Sequence, residues 1–191
     1  MEARDPRRVP LAEYVAFDRT SDERWEYVDG AAFVLSASPE HNLVKGNLFV
    51  ALRRALEGRA CLPFPDGQKI ATRRTRSYHY PDASVFCADP LRDADDEHAL
   101  VNPTLLAEVL SPTTADYDRG GKFVHYRTLD SLEEYLVVSI EERLVEQHRR
   151  VGSGQWLMTE VRGGELALGS LDVRFPLDAL WTDLDRLRTD A

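Results

Sequence analysis

Residues 104–111, TLLAEVLS, form an apolar run stopped at each end by a proline, Pro103 and Pro112, with a single ionisable side chain, Glu108, near its middle. So short an apolar segment between two breakers reads as a central strand buried on both faces. A strand of that kind demands neighbours on both sides and helices over the sheet. The rest of the chain therefore has to provide both.

The flanking segments meet that demand. After Pro10, Leu11, Tyr14, Val15 and Phe17 have the spacing of a short helix over 10–18. WEYVDGAAFVL carries Asp29-Gly30 between two β-rich runs, the signal for a hairpin whose turn needs positive φ at both central residues. Ser38-Pro39 opens a long helix in which Leu43, Val44, Leu48, Leu52 and Leu56 form an apolar stripe closed by Gly58. CLPFP, GQKIATRR and DASVFCA are strand candidates, and EEYLVVSI, rich in β-branched residues, reads as a second interior strand. Between the two interior strands, DYDRGGKFVHYRTL predicts a helix. RLVEQHRRV, QWLMTEV and ELALGSL, separated by glycine-rich turns, predict successive hairpin strands, and PLDALW a closing helix. The pattern is α/β, a mixed sheet flanked by helices, with antiparallel additions at both ends.

At 191 residues the chain suits one domain with a sizeable core, divided as a helix and hairpin over 10–36, a core over 39–140 and a β extension over 141–191. MEARDPRRVP lacks the apolar run of a secretory signal, and no stretch reaches the roughly 20 apolar residues of a membrane span. The expectation is a cytoplasmic protein with no membrane partner. Cys61 and Cys87 have no CxxC spacing and are expected as reduced core thiols. A net charge of −9 argues against coating nucleic acid through bulk electrostatics, so any such contact has to be local. Lys69, Arg73, Arg74 and Arg76, in a stretch free of acids, are the nucleic-acid-binding candidates; two solvated loops would explain the same pattern.

The chemistry concentrates on three side chains. Asp82 follows a proline at the head of a run that otherwise wants burial, and Glu108 sits among Leu106, Ala107, Val109 and Leu110. A carboxylate in such surroundings is costly unless it is paired or holds a metal. Two acids on strands of one sheet can converge on a hard cation such as Mg2+, with Mn2+ as a substitute, and a metal so held can activate water against a phosphodiester. Lys122, at the start of the helix after the Glu108 strand, can return towards it and stabilise charge on phosphorus; a surface lysine would have the same spacing.

WEYVDG, SPEHN before a helix, YPDASVF, LLAEVLSPTTADYDRGGKFVHYR and LEEYLVV, in that order, resemble the Uma-two family of restriction-endonuclease-like proteins, over most of the chain from Leu11 onward. The resemblance implies the restriction-endonuclease-like PD-(D/E)XK fold, with Asp82 as its metal-binding aspartate, Glu108 as its second acid and the Val109 carbonyl as a further metal ligand. The usual E-x-K would place a lysine at Leu110; Lys122 in DRGGK is the implied replacement. Glu26 matches an early acidic position, and Gln68 a polar position beside the metal.

Other residues have more ordinary readings. His41 can cap the long helix or reach a phosphate. Ser111 and Thr113 shape the turn after the strand, and without a GxSxG elbow neither reads as a nucleophile. Asp116, Asp118 and Arg119 suit a helix start, and Tyr78, His79 and Tyr80 suit sheet cover or base stacking. The leading expectation is a metal-dependent endonuclease cutting DNA. A non-catalytic oligomeric scaffold with the same fold and a metallo-hydrolase of small phosphorylated substrates are the rivals. A homodimer paired through hairpin edges and a nicking monomer fit the sequence equally.

Overall fold

The computed structural model describes residues 7–35, 37–111 and 117–187. The expected turn residue Thr113 and helix-start residue Asp116 lie outside them, as does the side chain of Asp118. The N-terminal layer begins with a short strand, β1 (Arg7–Arg8), and helix α1 (Leu11–Asp18). The hairpin β2 (Trp25–Val28) and β3 (Ala31–Val34) follows, with φ of 44° at Asp29 and 84° at Gly30, the positive angles its tight turn requires. Helix α2 (Pro39–Ala55) starts on Ser38, whose Oγ accepts the His41 amide at 3.2 Å, and proline at its first position needs no hydrogen-bond partner there.

Next come β4 (Leu62–Pro65), β5 (Lys69–Thr72), β6 (Ser77–His79), β7 (Ala83–Phe86), β8 (Ala99–Leu100) and β9 (Leu105–Val109). A crossover containing the single-turn helix α3 (Phe123–Tyr126) leads to β10 (Glu134–Ser139), then to β11 (Leu144–Gly152), β12 (Gln155–Val161), β13 (Glu165–Leu168) and β14 (Val173–Pro176). These strands form two open six-stranded sheets, ordered β1-β3-β2-β6-β5-β8 and β12-β11-β10-β9-β7-β4, and the small pair β13-β14. The expected interior strands are interior: β9 lies between β7, antiparallel, and β10, parallel. A parallel neighbour needs a long crossover, of which residues 117–133 are described.

The second sheet is covered on both faces. On one, Val44, Leu48, Ala51 and Leu52 of α2 meet Ala83, Val85, Leu105, Ala107, Val109, Leu136 and Val138. On the other, Leu106, Leu110, Tyr135 and Val137 meet Tyr126, Leu129 and Leu132 from the crossover. Each fully buried leucine here contributes roughly 1.5–3 kcal/mol. The first sheet packs Tyr27, Tyr78 and Ala71 under Tyr14 and Val15 of α1. Among the described residues no helix is long and apolar enough to cross a membrane.

Three expectations need correction. Cys61 and Cys87 are not reduced thiols but a disulfide, because β4 and β7 pair antiparallel with Leu62 opposite Phe86, which sets the two cysteines face to face at a Cα separation of 4.1 Å. The helix expected after the Glu108 strand is a six-residue π-helical segment, Tyr117–Lys122, followed by one α turn; Gly120 and Gly121 inside it disfavour a regular α-helix. PLDALW closes the chain as a 3-10 turn over Leu177–Trp181. Strands β6 and β8 are too short to give a periodic signal in the sequence.

Candidate active site

The antiparallel register of β7 and β9 sets Ala83 opposite Ala107, and Asp82 and Glu108 are the next residue along each chain beyond that pair. Both acids are buried, 8% and 3% exposed. Asp82 Oδ2 accepts the Val109 amide at 2.7 Å, fixing the carboxylate at the mouth of the strand pair. Glu108 points to the crossover face. Its Oε1 accepts the Tyr126 hydroxyl at 2.7 Å, and its Oε2 lies 3.1 Å from the Lys122 ammonium. Burial, and then the Glu108 charge, push the Tyr126 hydroxyl well above its ordinary value, so the phenol stays protonated and donates.

Lys122 reaches this position because the π-helical segment is tied down at Arg119, whose guanidinium binds Glu146 at 2.7 Å and Glu142 at 3.3 Å. The Lys122 ammonium bridges two acids from different sheets, since Glu26 Oε1 of β2 lies 3.0 Å from it. Glu26 Oε1 also accepts the Tyr80 amide at 3.1 Å. Burial alone would raise the Glu26 carboxyl, but Lys122 and His79 offset this and hold it at about 2. At 3.6 Å, His79 is too far from Glu26 Oε2 for a formed hydrogen bond, so the ammonium carries more of the effect. His79 is fully buried and packs its ring against His125 and Tyr126.

Of the sequence candidates, Asp82, Glu108, Val109, Lys122 and Glu26 thus gather at one end of the second sheet where the first sheet meets it. Gln68 belongs elsewhere: its amide donates to the Lys69 and His98 carbonyls, bracing the β5–β8 connection. Lys69 is not available to phosphate, being 2% exposed with its ammonium between Asp18 and Asp96. Arg73, Arg74 and Arg76 are exposed on the β5–β6 turn, where Arg73 binds Asp93 and Arg74 binds Asp130. Sequence reasoning missed Tyr126, although its spacing of four from Lys122 is that of one helix face. It also left His41 as a cap, whereas the imidazole Nε2 reaches Val109 O at 2.8 Å and Asp82 Oδ2 at 3.3 Å.

Asp82, Glu108 and the Val109 carbonyl are hard oxygen donors of the kind Mg2+ takes. Among the described residues no three His, Cys, Asp or Glu side chains converge tightly enough to form a closed metal cage. Mg2+ commonly keeps several waters and one or two carboxylates, so the donor set fits that ion in kind.

Two mixed sheets, an antiparallel strand pair with a buried acid at the end of each strand, and a parallel neighbour reached by a lysine-bearing crossover define a mixed α/β protein of restriction-endonuclease-like fold. The fold is similar to the crystal structure of "a putative nuclease belonging to DUF820" from Anabaena variabilis ATCC 29413, at a TM-score of 0.68 and 15% identity, covering 86% of this chain and 93% of that one. Residues 11–178 match the family described as "Uma2: Putative restriction endonuclease", and the chain belongs to that family. Two Synechocystis proteins are similar along most of their length: sll1609 is 34% identical over 156 residues, 81% of this chain and 88% of its own, and slr1290 is 32% identical over 174 residues, 90% of each.

Proposed function

We propose that the chain is a metal-dependent endonuclease that hydrolyses DNA phosphodiester bonds. The observation that carries this reading is the buried Lys122 ammonium, 3.1 Å from Glu108, whose strand neighbour Val109 donates its amide to Asp82 at 2.7 Å. Asp82, Glu108 and the Val109 carbonyl would hold Mg2+ or Mn2+, which when bound supplies a water of lowered pKa and neutralises charge on the scissile phosphate. The residues themselves do the positioning. The Val109 amide fixes Asp82, the Tyr126 hydroxyl fixes Glu108, and Glu26 holds Lys122 where its charge can stabilise a pentavalent phosphorus without reorganising. Arg73, Arg74 and Arg76 stand on a turn that begins three residues, roughly 10 Å, beyond His79 and would meet the DNA backbone.

The test is cleavage of supercoiled plasmid, linear duplex, single-stranded DNA and RNA with Mg2+ or Mn2+. DNA cleavage is expected in the wild type and is expected to fall roughly a hundredfold or more in Asp82→Ala, Glu108→Ala and Lys122→Met. Activity surviving Glu108→Ala rejects the assignment. A wild-type protein that neither cuts any substrate nor gains thermal stability from either ion supports the scaffold reading, which the net charge of −9 also favours.

A further inference from the structure

His41 enters the site from the side opposite Lys122. It lies in the first turn of α2, on the face of the second sheet that α2 covers, whereas Lys122 and Tyr126 approach from the crossover face. The side chain is 12% exposed. Its Nε2 stands 2.8 Å from the Val109 carbonyl oxygen and 3.3 Å from Asp82 Oδ2. A carbonyl oxygen can only accept, so Nε2 carries the ring hydrogen in this arrangement. The other nitrogen, Nδ1, is buried with no hydrogen-bond partner. A cap alone does not account for this, because the capping bond uses the His41 backbone amide and leaves the imidazole free to be aimed elsewhere.

We infer that His41 Nε2 is a further protein ligand of the metal, beside Asp82 and the Val109 carbonyl, and that it makes the site favour Mn2+ and Co2+ over Mg2+. The inference rests on the nuclease reading above. Neighbouring ligands on an octahedral ion with bonds of about 2.1 Å lie roughly 3 Å apart. The two Nε2 separations bracket that value, so the ring nitrogen stands at ligand spacing from both oxygens. Ligation requires the ring hydrogen to move from Nε2 to Nδ1. One ring nitrogen is unsatisfied before and after, so the change of tautomer adds no new unpartnered nitrogen. An imidazole nitrogen in the set suits transition metals, where an all-oxygen set would suit Mg2+.

The experiment is Mn2+ and Co2+ binding to the full chain, by calorimetry and by pulsed electron paramagnetic resonance of bound Mn2+. The wild type is expected to show 14N coupling to Mn2+ and tighter binding of Mn2+ than of Mg2+. His41→Ala is expected to lose the coupling and bind Mn2+ roughly tenfold more weakly or worse. Absence of nitrogen coupling in the wild type overturns the inference even if the variant fails to fold. Unchanged or tighter Mn2+ binding by folded His41→Ala also overturns it, and makes the ring an occupant of the cation's place. Asp82→Asn separates the two levels. If Asp82→Asn weakens Mn2+ binding and His41→Ala does not, the nuclease site stands without His41. If Asp82→Asn binds as the wild type does, the metal placement itself fails.

Discussion

Lys122 is the residue on which the site turns. Its ammonium lies between Glu26 and Glu108, and the Glu26 carboxyl is lowered from 4.5 to about 2 in the folded protein. A group depressed on folding adds stability that is complete above its unfolded value and is lost as pH falls through the folded one. The stability difference between wild type and Glu26→Gln should therefore be constant above about pH 4.5 and shrink as pH falls towards 2. Thermal melts of both proteins across that range check it. Tyr126→Phe should cost about 1.5–3 kcal/mol, the range for a hydrogen bond to a charged group, in urea denaturation. Asp82 and Glu108 were legible in the sequence because a lone acid in an apolar run is conspicuous. Lys122 was not, since nothing in its spacing distinguishes it from a surface lysine, and the family resemblance alone singled it out. Lys69 was misread for the converse reason: a local run of basic residues does not reveal that Asp18 and Asp96 close over one of them.

The elements follow the sequence wherever a periodic run is long enough to declare itself. Helix α2, the β2–β3 hairpin and strands β9 and β10 were all readable, the hairpin because Asp29-Gly30 admits few other geometries. The π-helical stretch before α3 was not, because its two glycines weaken the α pattern without announcing what replaces it. Neither was the Cys61–Cys87 bond, which depends on strands β4 and β7 pairing across a separation of 26 residues. Closing a loop of that size contributes about 3–4 kcal/mol on the chain-entropy account. The double variant Cys61→Ser/Cys87→Ser should lose that amount in chemical denaturation, and reduction of the wild type should reproduce the loss. Ser38→Ala, which removes the cap of α2, should cost about 1 kcal/mol by the same measurement.

For the whole molecule, the arrangement of two sheets was the least legible feature. Patterning predicts which strands are buried but not that β2, β6 and β5 form a sheet apart from β7, β9 and β10. The charge distribution belongs to this scale too. With a net charge of −9, the proposed contact with DNA falls to the exposed arginines of the β5–β6 turn. Replacing Arg73, Arg74 and Arg76 with glutamine should weaken binding to all sequences alike. The log–log salt dependence should flatten by roughly 0.9 for each phosphate contact removed. Fluorescence anisotropy over a salt series measures both effects.

The bridging position of Lys122 has a consequence for how such a protein can change over generations. Removing the lysine alone leaves two buried carboxylates from different sheets without the cation between them, so its loss also loosens the joint between the sheets. A descendant that loses Lys122 is pressed to replace Glu26 and Glu108 with it. The trio should survive or vanish as a set, and a chain that retains all three keeps, in the architecture itself, a reason to do so apart from any substrate.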